Sequence, residues 1–281
     1  MSLKPGLYIA ATPIGNLKDV TFRVIETLKA CDLILCEDTR RTAKLCAAYA
    51  ISTPRESYHD HNAAGVRPRI LAELREGKAI ALVSDAGTPL ISDPGYKLVR
   101  EARDAGVAII PLPGPSAALA ALVAVGAPTD RFLFAGFPPN KSGQRKSFLA
   151  GLKEIDATLV FFETGPRLGD SLSAMAAELG DRRAAMAREL TKIHEEVVEG
   201  RLTELAARYA GAEPKGEIVI VVHPAETPPE IGSDEIDRRL LAVMSDSELS
   251  VKAAAERVAE MLHVPRKQAY DRALRLRGKQ R

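Results

Sequence analysis

Short apolar runs alternate with helix-period segments through most of the chain, and this alternation restricts the fold more than any other feature. Residues 7–11 read as a buried strand, and a helix follows over 21–30. A second run covers 32–36 and a helix 42–49, followed by a polar segment, Ser57 to Asn62. Ile70, Leu71 and Leu74 share one face of a helix over 66–76, with Gly77 behind it as a C-cap. Residues 79–83 are a strand, 96–105 a helix closed by Gly106, and 107–112 a strand. Strands separated by helices of this length imply a mostly parallel sheet with helices on its faces. A small-residue helix over 117–125 ends at Gly126, and a second alternating series begins. Its strands are 132–135, 158–162, 184–188 and 217–222; its helices are 144–153, 167–179 and 202–209.

This pattern predicts an α/β protein of two lobes, over 1–120 and 121–225, plus a small helical end over 226–281. The stretch 223–230 is Pro-rich and without period, as in a linker. Beyond it Val251, Ala254, Ala255, Val258, Ala259 and Leu262 keep a helical stripe behind Ser250 as N-cap, and Pro265 suits the first turn of a helix over 266–276. Net charge is only +2, but residues 266–281 hold seven Lys or Arg against one acid, Asp271. Such a basic end can contact phosphates although the whole chain is near neutral. Aromatics are 5% with no Trp, which argues against binding built mainly on base stacking. Cys31, Cys36 and Cys46 have neither disulfide nor zinc spacing, and read as apolar thiols in a reducing cytosol. The longest apolar run, 218–222, is far too short to span a membrane, and no signal pattern opens the chain. A cytoplasmic protein is expected.

Four loops stand after strands, where open α/β sheets carry function. The first, 12–17, has a single glycine and no Gly-Lys-Ser/Thr, so it fits neither a dinucleotide nor a P-loop pattern. The second, 36–41, sets Glu37 and Asp38 beside Arg40 and Arg41. The third, 84–95, packs two Gly, two Pro, two Asp, two Ser and a Thr into twelve residues. Such a loop lets backbone groups approach a ligand closely while staying rigid. The fourth, 111–117, passes through a rigid turn into a helix N-terminus that could hold a carboxylate, with Ser116 as a cap.

The runs ATPIGNL (11–17), CEDTR (36–40), SDAGTP (84–89), SDPG (92–95) and PGPSA (113–117) together resemble the small-subunit ribosomal RNA methyltransferases of the tetrapyrrole methylase superfamily. So do PTDRF (128–132), GFPP (136–139) with Lys141, and RELTK (188–192) before His194-Glu195-Glu196. The resemblance implies two lobes with S-adenosylmethionine in the cleft between them, a helix-turn-helix-like tail, and a homodimer. It implies methyl transfer to the ribose 2′-oxygen of a cytidine in the decoding region of 16S rRNA, on naked rRNA or the 30S subunit. Carried over by position, the cofactor would touch Pro13, Asp85, Gly87, Pro89, Ser116 and Ala117, with Phe162 and the turn carrying Gly216 and Ile218 added from the second lobe. In the tail, His263 stands where helix-turn-helix sequences usually place glycine.

Such a transfer needs the hydroxyl aligned and its proton removed. His61, beside Asp60 and Asn62, and Lys141, just past a strand end, are the catalytic candidates; His59 and Glu163 are further ones. Arg40, Asn62, Arg145 and Arg167 are candidate RNA contacts. No acid or histidine cluster has metal-ligand spacing. Two other readings fit parts of the chain. A tetrapyrrole C-methylase shares the fold but has no use for the polar 58–62 segment, for Glu37 to Arg41 or for the basic tail. A helix-turn-helix regulator would use 250–277 but leave four elaborate loops idle.

Overall fold

The computed structural model describes residues 3–226, 232–245, 249–262 and 264–279. Residues 227–231 of the expected linker, His263 of the expected turn and Arg281 of the basic end lie outside the described residues. The chain divides into two compact units, residues 1–225 and 226–281.

In the first unit, five strands form an all-parallel sheet in the order β3-β2-β4-β1-β5. They are β1 (Gly6–Ala10), β2 (Leu33–Cys36), β3 (Arg55–Ser57), β4 (Ala79–Val83) and β5 (Ile109–Leu112). Every residue of β1 and β4 is buried, because helices cover both faces; this is why these strands read as unbroken apolar runs. Helices α1 (Phe22–Ala30) and α2 (Thr39–Ala48) pack one face through Val24, Leu28, Leu45 and Cys46. Helices α3 (Ala63–Arg75) and α4 (Tyr96–Asp104) pack the other through Ile70, Leu74, Leu98 and Ala102. All three cysteines are free and buried.

The second sheet is mixed. Its strands β6 (Phe132–Gly136), β7 (Thr158–Thr164), β8 (Arg183–Arg188), β9 (Glu196–Arg201) and β10 (Glu217–Val222) run in the order β6-β7-β10-β8-β9. Only β6 and β7 are parallel. Helix α5 (Ala117–Val125) packs one face through Ala118, Ala121 and Leu122, against Val160, Ala185, Val219 and Val221. Helices α6 (Ser142–Ala150), α7 (Gly165–Leu179) and α8 (Leu202–Arg208) cover the other, around Phe161, Leu168, Leu172, Met186 and Ile220.

Two strands have no counterpart in the sequence pattern. β3 is three residues long and holds Arg55, Glu56 and Ser57, ending where the polar segment 57–62 of the sequence begins. β9 reads Glu-Val-Val-Glu-Gly-Arg and lies at a sheet edge, so it shows no apolar run.

In the second unit, α9 (Ser233–Ser245), α10 (Val251–Leu262) and α11 (Arg266–Lys279) bury Ile236, Leu240, Val258, Ala269 and Ala273 together. Ser250 Oγ accepts from Ala253 N at 3.2 Å, as expected of an N-cap. Arg272 donates to both oxygens of Asp237 at 2.6 Å, tying α11 to α9. Among the described residues no helix is long and apolar enough to cross a membrane.

Candidate active site

Parallel strands put all their carboxyl ends on one edge, and the loops after β1, β2, β4 and β5 meet there. They are stitched to one another. Thr12 and Gly87 exchange backbone hydrogen bonds of 2.8 and 3.0 Å, and Thr12 Oγ1 donates to Ser84 O at 3.0 Å, joining the first loop to the third. Asp85 joins the third to the second: Oδ1 accepts from Asp38 N at 3.0 Å, and Oδ2 lies 3.4 Å from Arg41 Nε. Thr88 Oγ1 donates to Pro115 O at 3.2 Å, joining the third to the fourth.

A cavity of about 440 Å³ opens between these loops and the second sheet. Ile14, Glu37, Arg41, Asp85, Gly87, Asp93, Ser116 and Ala117 line it from the loop side. Phe137, Phe162, Glu163, Leu190, Gly216, Glu217 and Ile218 line it from the other. The antiparallel register of β7 and β10 sets Ile218 beside Glu163 and Glu217 beside Thr164, so this wall comes from residues far apart in sequence. Asn16 N donates to Thr191 Oγ1 at 3.0 Å, linking the first loop to the turn after β8. Glu189 and Thr191 in that turn have positive φ, 52° and 68°.

Among the described residues, five carboxylates line the cavity against one cation, Arg41. Three are paired. Asp85 faces Arg41, and Lys192 Nζ lies 3.0 Å from Glu217. Glu163 is fully buried, accepts from Thr164 N at 2.8 Å and from Ser171 Oγ, and lies 3.3 Å from Arg167 Nε. Glu37 and Asp93 have no ion-pair partner among the described residues. Burial pushes Asp93 up to about 6, with the nearby Glu37 charge adding to the effect. Burial also raises Glu37, followed by the charge of Asp85. Among the described residues no group of acids, histidines or cysteines could hold a metal.

Gly87 has φ +78°, and a Cβ there would stand 3.4 Å from Ile14 Cγ2 and 3.7 Å from Pro115 O, between the first and fourth loops. Ser116 stands at the N-cap of α5 but makes no side-chain cap bond. Ser116 and Ala117 line the cavity, so the start of α5, whose first amides have no intrahelical acceptor, lies at its wall.

Of the residues expected at the cofactor, Asp85, Gly87, Ser116, Ala117, Phe162, Gly216 and Ile218 all line this cavity. Pro13 and Pro89 do not; each adjoins a lining residue, Ile14 and Thr88. His61 and Lys141 are exposed and do not line it. The His61 ring packs edge-on at 5.9 Å from His59. Asn62 spends its amide on its own loop, accepting from His59 N and donating to Ser57 O. Arg40 is exposed and held by Asp38, whose carboxyl its hydrogen bonds draw down to about 2. Arg145 and Arg167, expected at RNA phosphates, point inward instead. Arg145 is buried, with Asp170 at 3.5 Å, and Arg167 is fixed by Glu163 and the Pro138 carbonyl. Arg145 ties α6 to α7, and Arg167 ties α7 to β7 and to the loop after β6. Sequence reasoning places Glu37 and Arg41 in the second functional loop, Asp93 in the third and Glu217 in the cofactor turn without giving any of them a role, and it passes over Leu190, which lies in a run that carries the resemblance.

The tetrapyrrole (corrin/porphyrin) methylase family matches residues 6–206, and the RsmI C-terminal HTH domain matches residues 230–277. The chain belongs to the tetrapyrrole methylase family. Within it, the chain is 50% identical to ribosomal RNA small subunit methyltransferase I of Mesorhizobium japonicum, over 98% of this chain and 93% of that protein. It is equally identical to the protein of that name from Erythrobacter litoralis, over 98% and 96%. The fold is also that of uroporphyrin-III C-methyl transferase from Thermus thermophilus, solved complexed with S-adenyl homocysteine. That structure has a TM-score of 0.54 and 18% identity, over 77% of this chain and 96% of that one.

Proposed function

We propose that this member of the family transfers a methyl group from S-adenosylmethionine to the ribose 2′-oxygen of a cytidine in the decoding region of 16S rRNA. The carrying observation is that seven residues assigned to the cofactor by resemblance meet on the walls of one cavity. The full-length relatives' printed name, ribosomal RNA small subunit methyltransferase I, supports RNA as the acceptor.

The residues present fit this cofactor. S-adenosylmethionine carries a sulfonium and an ammonium, and it meets a cavity where carboxylates outnumber cations. Its carboxylate suits the Ser116 hydroxyl and the amides that open α5. Gly87 leaves room that a side chain would fill. When bound, the cofactor supplies a methyl group on positively charged sulfur.

The chain's own residues do the rest. Thr12, Gly87, Asp85 and Thr88 lock the loops in place before any ligand arrives, which lowers the cost of ordering the site. The proton of the acceptor hydroxyl goes to Asp93, one of two cavity carboxylates without an ion-pair partner among the described residues. With its acidity shifted to about 6, it is ionised at neutral pH yet more basic than an ordinary carboxylate. RNA phosphates need cations, which this acidic cavity does not offer. Helix α11 sets exposed Lys267, Tyr270, Leu274 and Arg277 along one face, and neither cation has an ion-pair partner among the described residues. We assign this face to the RNA backbone. A homodimer is supported by α5, whose outer face exposes Leu119 and Val123 near Gly126.

The test is to incubate the protein with labelled S-adenosylmethionine and 30S subunits from cells lacking the activity, then locate the label by nuclease digestion and mass spectrometry. A 2′-O-methylcytidine in the decoding region is expected. Cofactor binding without transfer to 30S subunits or to naked 16S rRNA would overturn the reading and direct attention to tetrapyrrole acceptors.

A further inference from the structure

Aromatic residues are scarce in this chain, so one left half-exposed at the mouth of the cavity invites an explanation. Phe137 is 48% exposed and lines the cavity just past the end of β6. Its ring is braced edge-to-face by Phe162, with centroids 5.6 Å apart, and Phe162 is held the same way by Phe134 at 4.7 Å. A T-shaped contact steadies the Phe137 ring and occupies at most one of its two faces, leaving the other available for stacking. Gly136, with φ +67°, turns the chain out at this point, and a Cβ on it would stand 3.6 Å from Ser92 Oγ. The loop that carries Ile91 thus comes up against the loop that carries Phe137.

Ile91 is 45% exposed and also lines the cavity. Both its neighbours are strained: Leu90 has φ 75° and Ser92 has φ 64°. A bulky Leu in the left-handed region is uncommon and costs conformational energy. Backbone strain of this kind persists where the surrounding structure enforces it, and here it turns an apolar side chain toward solvent instead of into the core. Two half-exposed apolar groups from opposite lobes, one of them a fixed aromatic ring, therefore face the entrance of a cavity whose charged groups are mostly carboxylates.

We propose that Ile91 and Phe137 form a jaw that grips a single unstacked nucleobase of the RNA, the base attached to the acceptor ribose. This rests on the reading of RNA as the acceptor. An RNA helix displays its 2′-hydroxyls in a shallow groove, but its convex surface does not enter a recessed cavity, so a donor held there is reached by a nucleotide turned out of the helix. An extruded base loses its stacking neighbours, and a Phe face with an aliphatic group across from it replaces them. The jaw then fixes the ribose over the cavity, so that its 2′-oxygen is presented to Asp93 and to the cofactor. Ile91 and Phe137 are positioning residues in this scheme, and they act on the acceptor, not on the cofactor.

The test uses the full chain with Phe137→Ala, Phe137→Leu, Phe137→Tyr and Ile91→Ala, read by S-adenosylmethionine affinity in calorimetry and by methyl transfer to 30S subunits. For Phe137→Ala we expect kcat/KM toward the subunit to fall about tenfold or more, the usual worth of one stacked base, with cofactor Kd within about twofold of the parent. Phe137→Tyr keeps the π face and restores transfer; Phe137→Leu keeps only apolar bulk and does not. Ile91→Ala shows a smaller loss of the same kind, and unchanged cofactor Kd reports that each variant is folded. Transfer by Phe137→Ala at the parent's kcat/KM overturns the jaw. So does a cofactor Kd weakened about tenfold, which would make Phe137 a wall of the cofactor's own pocket. Failure of the unaltered chain to methylate 30S subunits is a different result: it removes the RNA reading itself.

Discussion

Replacing Asp93 with Asn should make the protein more stable and its cofactor binding weaker. Burial and the neighbouring Glu37 charge raise the Asp93 carboxyl from 3.8 to about 6. The folded state therefore holds a proton that the unfolded chain has already released between about pH 4 and pH 6. Stability falls as pH rises through that window and is level above it. A shift of about two units corresponds to about 3 kcal/mol. Asp93 is only partly buried, so solvent screening brings the expected cost to about 1–2 kcal/mol. The side-chain amide of the variant carries no charge to desolvate, so Asp93→Asn should recover that amount. In a unit of about 225 residues this is a melting-temperature rise of roughly 2–8 °C at pH 7.5, shrinking toward zero at pH 4. Thermal denaturation of both proteins at several pH values in that range measures it. A gap that does not depend on pH, or a variant less stable at pH 7.5, would refute the argument. The same substitution removes a carboxylate that faces a cationic cofactor, so S-adenosylmethionine Kd should rise at pH 7.5, and methyl transfer should collapse for want of a proton acceptor. Stability given up at a functional group and regained when it is removed is the usual trade.

Glu163→Ala leaves the partly buried Arg167 without its partner and removes acceptors from Thr164 N and Ser171 Oγ; a loss of about 3–5 kcal/mol is expected in urea titration. Gly216→Ala would set a Cβ 2.5 Å from the Glu189 side chain at φ +112°, so it should cost about 1–3 kcal/mol in the same assay and weaken S-adenosylmethionine binding in calorimetry. Lys267→Gln with Arg277→Gln should lower rRNA affinity and reduce the slope of log K against log salt by about 0.7–0.9 for each phosphate no longer neutralised, with cofactor Kd unchanged. An unaltered slope would take α11 out of RNA binding.

The first sheet is legible in the sequence because burial on both faces leaves no choice of pattern: β1 and β4 are continuous apolar runs, and each connecting helix is long enough to cross over. Helix α5 and strand β10 fall where periodicity places them, bounded by Gly126 and by Gly216 with its positive φ. The second sheet is less legible. The turn from β8 to β9 spans only seven residues, too few for a parallel crossover, so the antiparallel pairing follows once β9 is known. β9 itself, with Glu196, Glu199 and Arg201 on a sheet edge, hides in a polar stretch. This propagates to the site. The four loops of the first lobe announce themselves by Gly, Pro and Asp content, since their job is to shape backbone around a ligand. The opposite wall is made by register: Glu163 and Ile218 are each singled out in the sequence, but they meet only because β7 and β10 pair antiparallel, and no local signal shows that pairing. The polar residues that look most like catalysts in the sequence, His61 and Lys141, lie in exposed segments, where polar composition reflects contact with water. The carboxylates that the cavity leaves unpaired among the described residues, Glu37 and Asp93, sit beside residues whose structural roles are plain, the α2 N-cap Asp38 and the turn glycine Gly95. What distinguishes them is partial burial without an ion-pair partner among the described residues, which the order of residues along the chain does not display.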